Sequence, residues 1–324
     1  MQKKNDETEM TNTLADGMGV GSGSSRLRAW MELLRVPNLF TVPGDPIAGF
    51  LLANAGWLGV LTLRRTLYVA IASLFLYMAG LITNDLWDLG EDRRERPGRP
   101  IASGRIRPQT AITVAAVLFV LGIASAALAG FAPAVVAWTL MVVILAYNAG
   151  AKRVAVLGPL TMGLCRGLSL LMGAAAFGPD ALLTPLVLVA AGGLTLYVAS
   201  VTLIAAKETS GKAPGKRAWF PCWIVPLWLT VLGGVAPWSN SLTHFVSVVI
   251  ALAAAIWVWR WSMATQRATR PEAVSLGVGR FLQGLLLLQA SMAAMAMSIG
   301  IWVSLGLVLL VPVSMLVGRR FYAS

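Results

Sequence analysis

Residues 66–92 read TLYVAIASLFLYMAGLITNDLWDLGED, an apolar run that closes on Asn84-Asp85-Leu86-Trp87-Asp88-Leu89-Gly90-Glu91-Asp92. No charged residue interrupts 66–83, and about 20 apolar residues suffice for a helix to cross a bilayer. Asp85, Asp88 and Asp92 follow at i, i+3 and i+7, spacings that share one face of a continuous helix. Ionisable groups at membrane depth are costly, so a cluster of them marks a functional site. Clustered hard oxygen ligands suit Mg²⁺, which usually binds together with phosphate oxygens. The stretch therefore points to a helical membrane protein that handles a phosphorylated substrate.

The rest of the chain agrees. Of 324 residues, 57% are hydrophobic and 12% charged, against about 25% charged in soluble domains. The expected fold is all-α, a polytopic bundle of nine to ten transmembrane helices. Apolar runs place the spans near 34–55, 66–88, 109–130, 132–150, 155–177, 182–206, 219–236, 243–262, 279–297 and 299–318. The last two divide one long run, with Ser298 and Gly300 offering the turn. Residues 1–25, rich in Gly, Ser and Thr, read as a disordered cytoplasmic tail ahead of a transmembrane domain at 26–324.

The net charge of +12 is distributed against a nucleic-acid partner. Arg93, Arg94, Arg96, Arg99, Arg105, Arg107, Lys152, Arg153, Lys207, Lys212, Lys216 and Arg217 all fall in loops on one side. That is the positive-inside pattern. Ten spans keep both termini with this charge, so the expectation is a bacterial inner-membrane protein with both termini and the acidic site on the cytoplasmic side. Membrane lipids are its expected surroundings, and no protein partner is indicated. Two cysteines without a CxxC pair and a single histidine, His244, argue against a zinc site and against histidine-centred catalysis.

Five of the fourteen acidic residues lie between Asp85 and Glu95. Carboxylates this close repel, so Asp85, Asp88 and Asp92 call for a cation, with the Asn84 amide in support. Glu91 and Glu95 read more simply as a solvated helix end paired with neighbouring arginines. Next comes Arg96-Pro97-Gly98-Arg99-Pro100-Ile101-Ala102-Ser103-Gly104, a stiff loop whose guanidinium groups suit phosphate oxygens.

NDxxDxxxD followed by RPxRPxxSG resembles the first signature of the UbiA family of intramembrane aromatic prenyltransferases. Arg35 and Asn38 resemble that family's early R-x-x-N element, and Tyr147, Lys152 and Arg153 its Tyr…Lys-Arg element. The resemblance implies helices around a central cavity capped by the motif loops. It also implies a prenyl diphosphate held through Mg²⁺ and transfer of the prenyl group to a small, often aromatic, acceptor. Catalytic and metal-binding roles would fall to Asp85, Asp88 and Asp92. Substrate contacts would fall to Asn84, Arg35, Asn38, Arg96, Arg99, Tyr147, Lys152, Arg153, Lys207 and Glu208.

One part departs from the family pattern. Where a second aspartate motif is expected, residues 197–209 hold no aspartate and one acid, Glu208. The departure is similar to an EboC-like branch of the family. Either Lys207 and Lys212 supply charge beside a single Mg²⁺, or the site binds a phosphorylated lipid without transferring it. A non-catalytic carrier and a prenyl cyclase are thus the rival functions. Asp45 and Arg166 also lie within apolar runs; facing the cavity and pairing with one another are both open to them.

Overall fold

The computed structural model describes residues 21–54, 60–206, 213–236, 241–296 and 298–321, and among these there is no strand. Most of the expected N-terminal tail, together with Lys207, Glu208 and Lys212, lies outside the described residues. The elements begin with α1 (Gly21–Leu33), α2 (Val36–Leu39) and α3 (Gly44–Ala53). Next are α4 (Val60–Trp87), α5 (Leu89–Glu95), α6 (Pro108–Ala129), α7 (Phe131–Ala149), α8 (Leu157–Phe177) and α9 (Pro185–Ala205). The chain ends with α10 (Phe220–Val235), α11 (Ser241–Thr265), α12 (Pro271–Ala294) and α13 (Ser298–Phe321).

Nine of the described helices are long and apolar enough to cross a membrane, from Thr62–Trp87 to Ile299–Gly318. The expected first crossing, 34–55, is not one of them, because its helix is broken between α2 and α3. Pro37, Pro43, Gly44 and Pro46 crowd this segment, and proline removes a helix donor and clashes with the preceding turn. The segment still reaches from the end that carries Arg35 to the far end of α8, where the Phe50 ring meets that of Phe177 edge-on at 6.2 Å. Glu32 of α1 is held at one end by Arg105, 2.7 Å away. At the other end Arg65, in the opening turns of α4, donates to the carbonyl of Ala176 in the last turn of α8 at 3.4 Å. The long run after Phe281 divides as expected, with α12 ending at Ala294 and α13 starting at Ser298.

Packing places α3 as a wedge in the middle, against α8, α12, α4 and α9. Neighbours in the chain, α8 with α9 and α11 with α12, pack against each other. One apolar core joins α3 and α8 to α13 through Leu170, Leu194, Val225, Leu285 and Leu307. A second joins α4, α6, α7 and α8 through Leu76, Phe119, Leu140 and Met172. Two glycines permit the wedge to fit: a Cβ on Gly49 would overlap the Leu170 carbonyl, and one on Gly173 the Pro46 carbonyl. Backbone cannot rotate away as a side chain can, so the helices would have to separate.

Gly173→Leu is accordingly expected to lower stability by about 1–3 kcal/mol or more, read as a fall in thermal midpoint of the detergent-solubilised protein. Gly192, whose added Cβ would meet nothing within 4 Å, supplies the contrast: Gly192→Ala should leave the midpoint unchanged or raise it.

Candidate active site

The helix that begins at Val60 ends just before Asp88, whose backbone (φ −88, ψ 3) is no longer helical. Two hydrogen bonds carry the chain across this break: Asp88 N–H to Asn84 O at 3.0 Å and Asp92 N–H to Asp88 O at 2.8 Å. The acidic stripe faces two ways here. Asn84, Asp88 and Glu91 line a cavity of about 550 Å³, whereas Asp85 and Asp92 stand behind it against the following loop and are not part of its wall. The expected single face of three aspartates is divided as the helical repeat itself divides it: Asp85 and Asp92 lie about 20° apart around the axis, whereas Asp88 stands about 60° from Asp85, toward Asn84 and Glu91. Glu91, read from sequence as solvated helix end, borders the cavity mouth.

Each aspartate meets a cation from elsewhere in the chain. Arg99 donates through one Nη1 to Asp85 Oδ1 at 3.1 Å and Asp92 Oδ2 at 3.0 Å. Lys152 Nζ lies 2.6 Å from Asp88 Oδ1 and donates to Asn84 Oδ1 at 3.2 Å. Arg35 Nη2 stands 3.9 Å from Asp85 Oδ1. Burial holds the Asp92 carboxyl above its ordinary range, and the Arg99 guanidinium offsets this only in part.

The loop that carries Arg99 is anchored by Ile101 and Ile106, both buried with Ala29, Leu33 and Ile82. Arg105 donates to the Gly98 carbonyl at 2.7 Å, and Ser103 Oγ to the Arg99 carbonyl at 2.8 Å. Lys152 sits on a 3₁₀ turn, Ala151–Arg153. Gly158 lets α8 begin directly against that turn, since a Cβ there would lie 2.8 Å from the Lys152 carbonyl oxygen. Arg35 is the one non-glycine residue with positive φ among those described, at 47°. That left-handed conformation costs about 1–2 kcal/mol, and it stands where the chain turns the side chain toward the cavity.

Of the residues expected from sequence, Arg35, Asn84, Asp88, Arg96, Arg99, Tyr147, Lys152 and Arg153 line the cavity. Asn38, on α2, does not. In the stretch where a second acidic motif was expected, the wall is formed by Thr202, Ala205 and Ala206. Sequence reasoning passed over Ser73, Tyr77, Asn148 and Ser169, which also line it. Asn148 is fixed by donating to Thr83 Oγ1 at 2.9 Å. These are single polar residues in apolar helices, with no spacing or charge to set them apart.

The donor chemistry suits a hard divalent cation: three carboxylates and an amide oxygen stand at one end of the bundle. Asp85 and Asp92 already converge on a single cationic nitrogen. Among the described residues, however, no three acidic, histidine or cysteine side chains form a ready cage. The carboxylates are spread around Arg99 and Lys152 instead.

Comparison with known proteins follows the same lines. The chain matches the UbiA prenyltransferase family over residues 46–285. It is 29% identical over 178 residues to the digeranylgeranylglyceryl phosphate synthase of Saccharolobus solfataricus, covering 55% of this chain and 60% of that one. The synthase of the same description from Methanoculleus marisnigri is 32% identical over 193 residues, covering 60% and 67%. The aligned part is thus less than two thirds of the Saccharolobus protein's length. A UbiA homolog from Archaeoglobus fulgidus, solved bound to GPP and Mg²⁺, superposes with a TM-score of 0.59 at 14% identity, covering 82% of this chain and 99% of that one. The apo structure of a UbiA homolog from Aeropyrum pernix K1 gives 0.59 at 19%, covering 83% and 98%. At these identities the structures establish a shared fold.

Replacing Arg99 should separate its two roles. Arg99→Met leaves Asp85 and Asp92 without the guanidinium they share, so Mn²⁺ binding followed by electron paramagnetic resonance should tighten by roughly tenfold. Binding of a prenyl diphosphate should weaken in the same variant, because a phosphate-binding guanidinium has gone.

Proposed function

This chain belongs to the UbiA prenyltransferase family, and from that premise we propose that it transfers a prenyl group from an allylic prenyl diphosphate to a small acceptor inside the membrane. The observation that carries the reading is the two-part cavity. Arg35, Arg96, Arg99, Lys152 and Arg153 gather at its mouth beside Asn84 and Asp88, and its walls are the faces of apolar helices. Guanidinium and ammonium groups bind the diphosphate oxygens, and the same contacts stabilise the charge that grows on the leaving group as the allylic C–O bond breaks. Asp85, Asp88 and Asp92, with Asn84 in support, would hold Mg²⁺, which would supply further Lewis-acid neutralisation of the diphosphate. Tyr147 lies on the wall near the mouth, where it orients the donor. Lys207 and Glu208 belong to the proposed contacts, with Lys207 adding charge where other family members carry acids. The helix faces exclude water, so the carbocation meets the acceptor rather than hydroxide.

One observation favours a second reading, a non-catalytic binder of prenyl phosphates: the carboxylates are paired with Arg99 and Lys152 rather than collected into a cage. Turnover decides between them. Purified protein with isotope-labelled prenyl diphosphate, Mg²⁺ and a panel of acceptors should yield prenylated product. Asp88→Ala should lower the rate by about 10²-fold or more, and chelation of divalent metal should abolish it. Binding without product in the wild type, or undiminished turnover in Asp88→Ala, would remove the transferase assignment.

The same reading places the protein in a bacterial plasma membrane with both termini and the charged mouth in the cytoplasm, supported by the basic residues collected at one end of the bundle. A reporter fused after Ser324 should then read cytoplasmic, and one inserted within 236–243 external.

A further inference from the structure

Deep inside the cavity lies a second polar patch, separate from the charged mouth. Arg166 is nine residues into α8, about 14 Å along the helix axis, and it lines the cavity with Ser169 one turn further on and Ser73 of α4 opposite. All three are buried, at 8%, 4% and 3% exposure.

The guanidinium is only partly used. Its Nε stands 2.8 Å from Asp45 Oδ2 as an ion pair, without the alignment of a hydrogen bond. Its Nη2 donates to Thr41 O at 2.8 Å and lies 3.3 Å from Thr41 Oγ1. Gln289 closes the network from α12, donating to Asp45 Oδ1 at 2.6 Å and to Thr41 O at 2.8 Å. Nη1 has no partner among the described residues, and it is not among the fully enclosed polar atoms. Ser73 and Ser169 hydrogen-bond to each other at 2.7 Å, which uses one of their two hydroxyl protons and leaves the other without an acceptor among the described residues. The patch therefore offers spare donors on a rigid base. Arg166 and Asp45 cancel in charge, so it offers almost no net field. An anion taken to this depth would face a desolvation cost with little to offset it.

We propose that Arg166 Nη1 and the Ser73–Ser169 hydroxyl pair form the seat for the acceptor, and that the group received there is an uncharged hydrogen-bond-accepting oxygen such as a carbonyl. This rests on the transferase reading above and deepens it: the charged donor occupies the mouth, and the neutral end of the acceptor reaches the interior. Arg166 and Ser169 are substrate-binding residues in this assignment, and Asp45 and Gln289 position Arg166.

The test is equilibrium binding of two aromatics of similar size, 4-hydroxyacetophenone and 4-hydroxybenzoate, to the full detergent-solubilised chain, with geranyl diphosphate and Mg²⁺ as a separate probe of the mouth. Arg166→Lys keeps a charge opposite Asp45 but loses the free arm, and Ser169→Ala leaves the ion pair untouched. Each should weaken the ketone by roughly tenfold, the worth of one hydrogen bond at a buried site. The carboxylate and geranyl diphosphate should change by less than about twofold. Ser169→Ala decides the matter if Arg166→Lys does not fold. The assignment is overturned if the ketone fails to bind the wild type, if it binds Ser169→Ala unchanged, or if the carboxylate loses as much as the ketone. Failure of geranyl diphosphate to bind the wild type would instead strike the transferase reading, while the ketone measurements would still report on the inner patch.

Discussion

Pairing of charge away from water is the constraint on which this bundle turns. A carboxylate removed from water without a counter-charge costs several kcal/mol, and the buried and half-buried aspartates here each find a cation on another element or loop. Asp45 takes Arg166, Asp85 and Asp92 share Arg99, and Asp88 takes Lys152. These pairs also set the architecture. The first draws the α2–α3 turn against the middle of α8. The second folds the arginine loop back over the end of α4. The third brings the turn between α7 and α8 across to the same end. Apolar packing alone would leave the helices freer to slide, since lipid tails are as apolar as the helix faces.

The broken first crossing follows from the same constraint. Opening the helix between Leu39 and Gly44 frees backbone carbonyls at depth, and such groups are tolerated only where protein re-satisfies them. Arg166 and Gln289 do so by meeting on the Thr41 carbonyl. The irregular segment is therefore confined to the one place where α8 and α12 can both reach it, with Gly49 and Gly173 setting how closely the wedge approaches.

Two polar regions of different character share one cavity. At the mouth, cations and carboxylates interleave, and an arriving anion and its counter-ion can exchange partners with them. Inside, Arg166 and Asp45 are closed into a fixed neutral network. A ligand with one highly charged end and one apolar end fits the mouth and the helix faces, while a second ligand with a neutral polar group fits the inner patch. The wall at Thr202, Ala205 and Ala206 carries no carboxylate, so the acidic side of the site comes from the α4–α5 junction, together with whatever Glu208 contributes.

Much of this was legible in the sequence, for identifiable reasons. Apolar runs of about 20 residues cannot avoid being helices in a bilayer, so the long crossings and the all-α bundle needed no coordinates. The acidic stripe and the arginine loop stood out because charge is rare in such a chain, and eight of the expected site residues do line the cavity. What only the tertiary structure decided was orientation and partnership. Spacing placed three aspartates near one face, but which cation each would meet came from packing: two go to Arg99 and one to Lys152. Asp45 and Arg166 were visible as isolated charges, yet nothing local says that residues so far apart in the chain must meet. Ser73 and Ser169 carried no signal at all. A helix propagates by local hydrogen bonds and so announces itself locally, whereas the pairing of buried polar groups depends on which faces the packed helices turn toward one another.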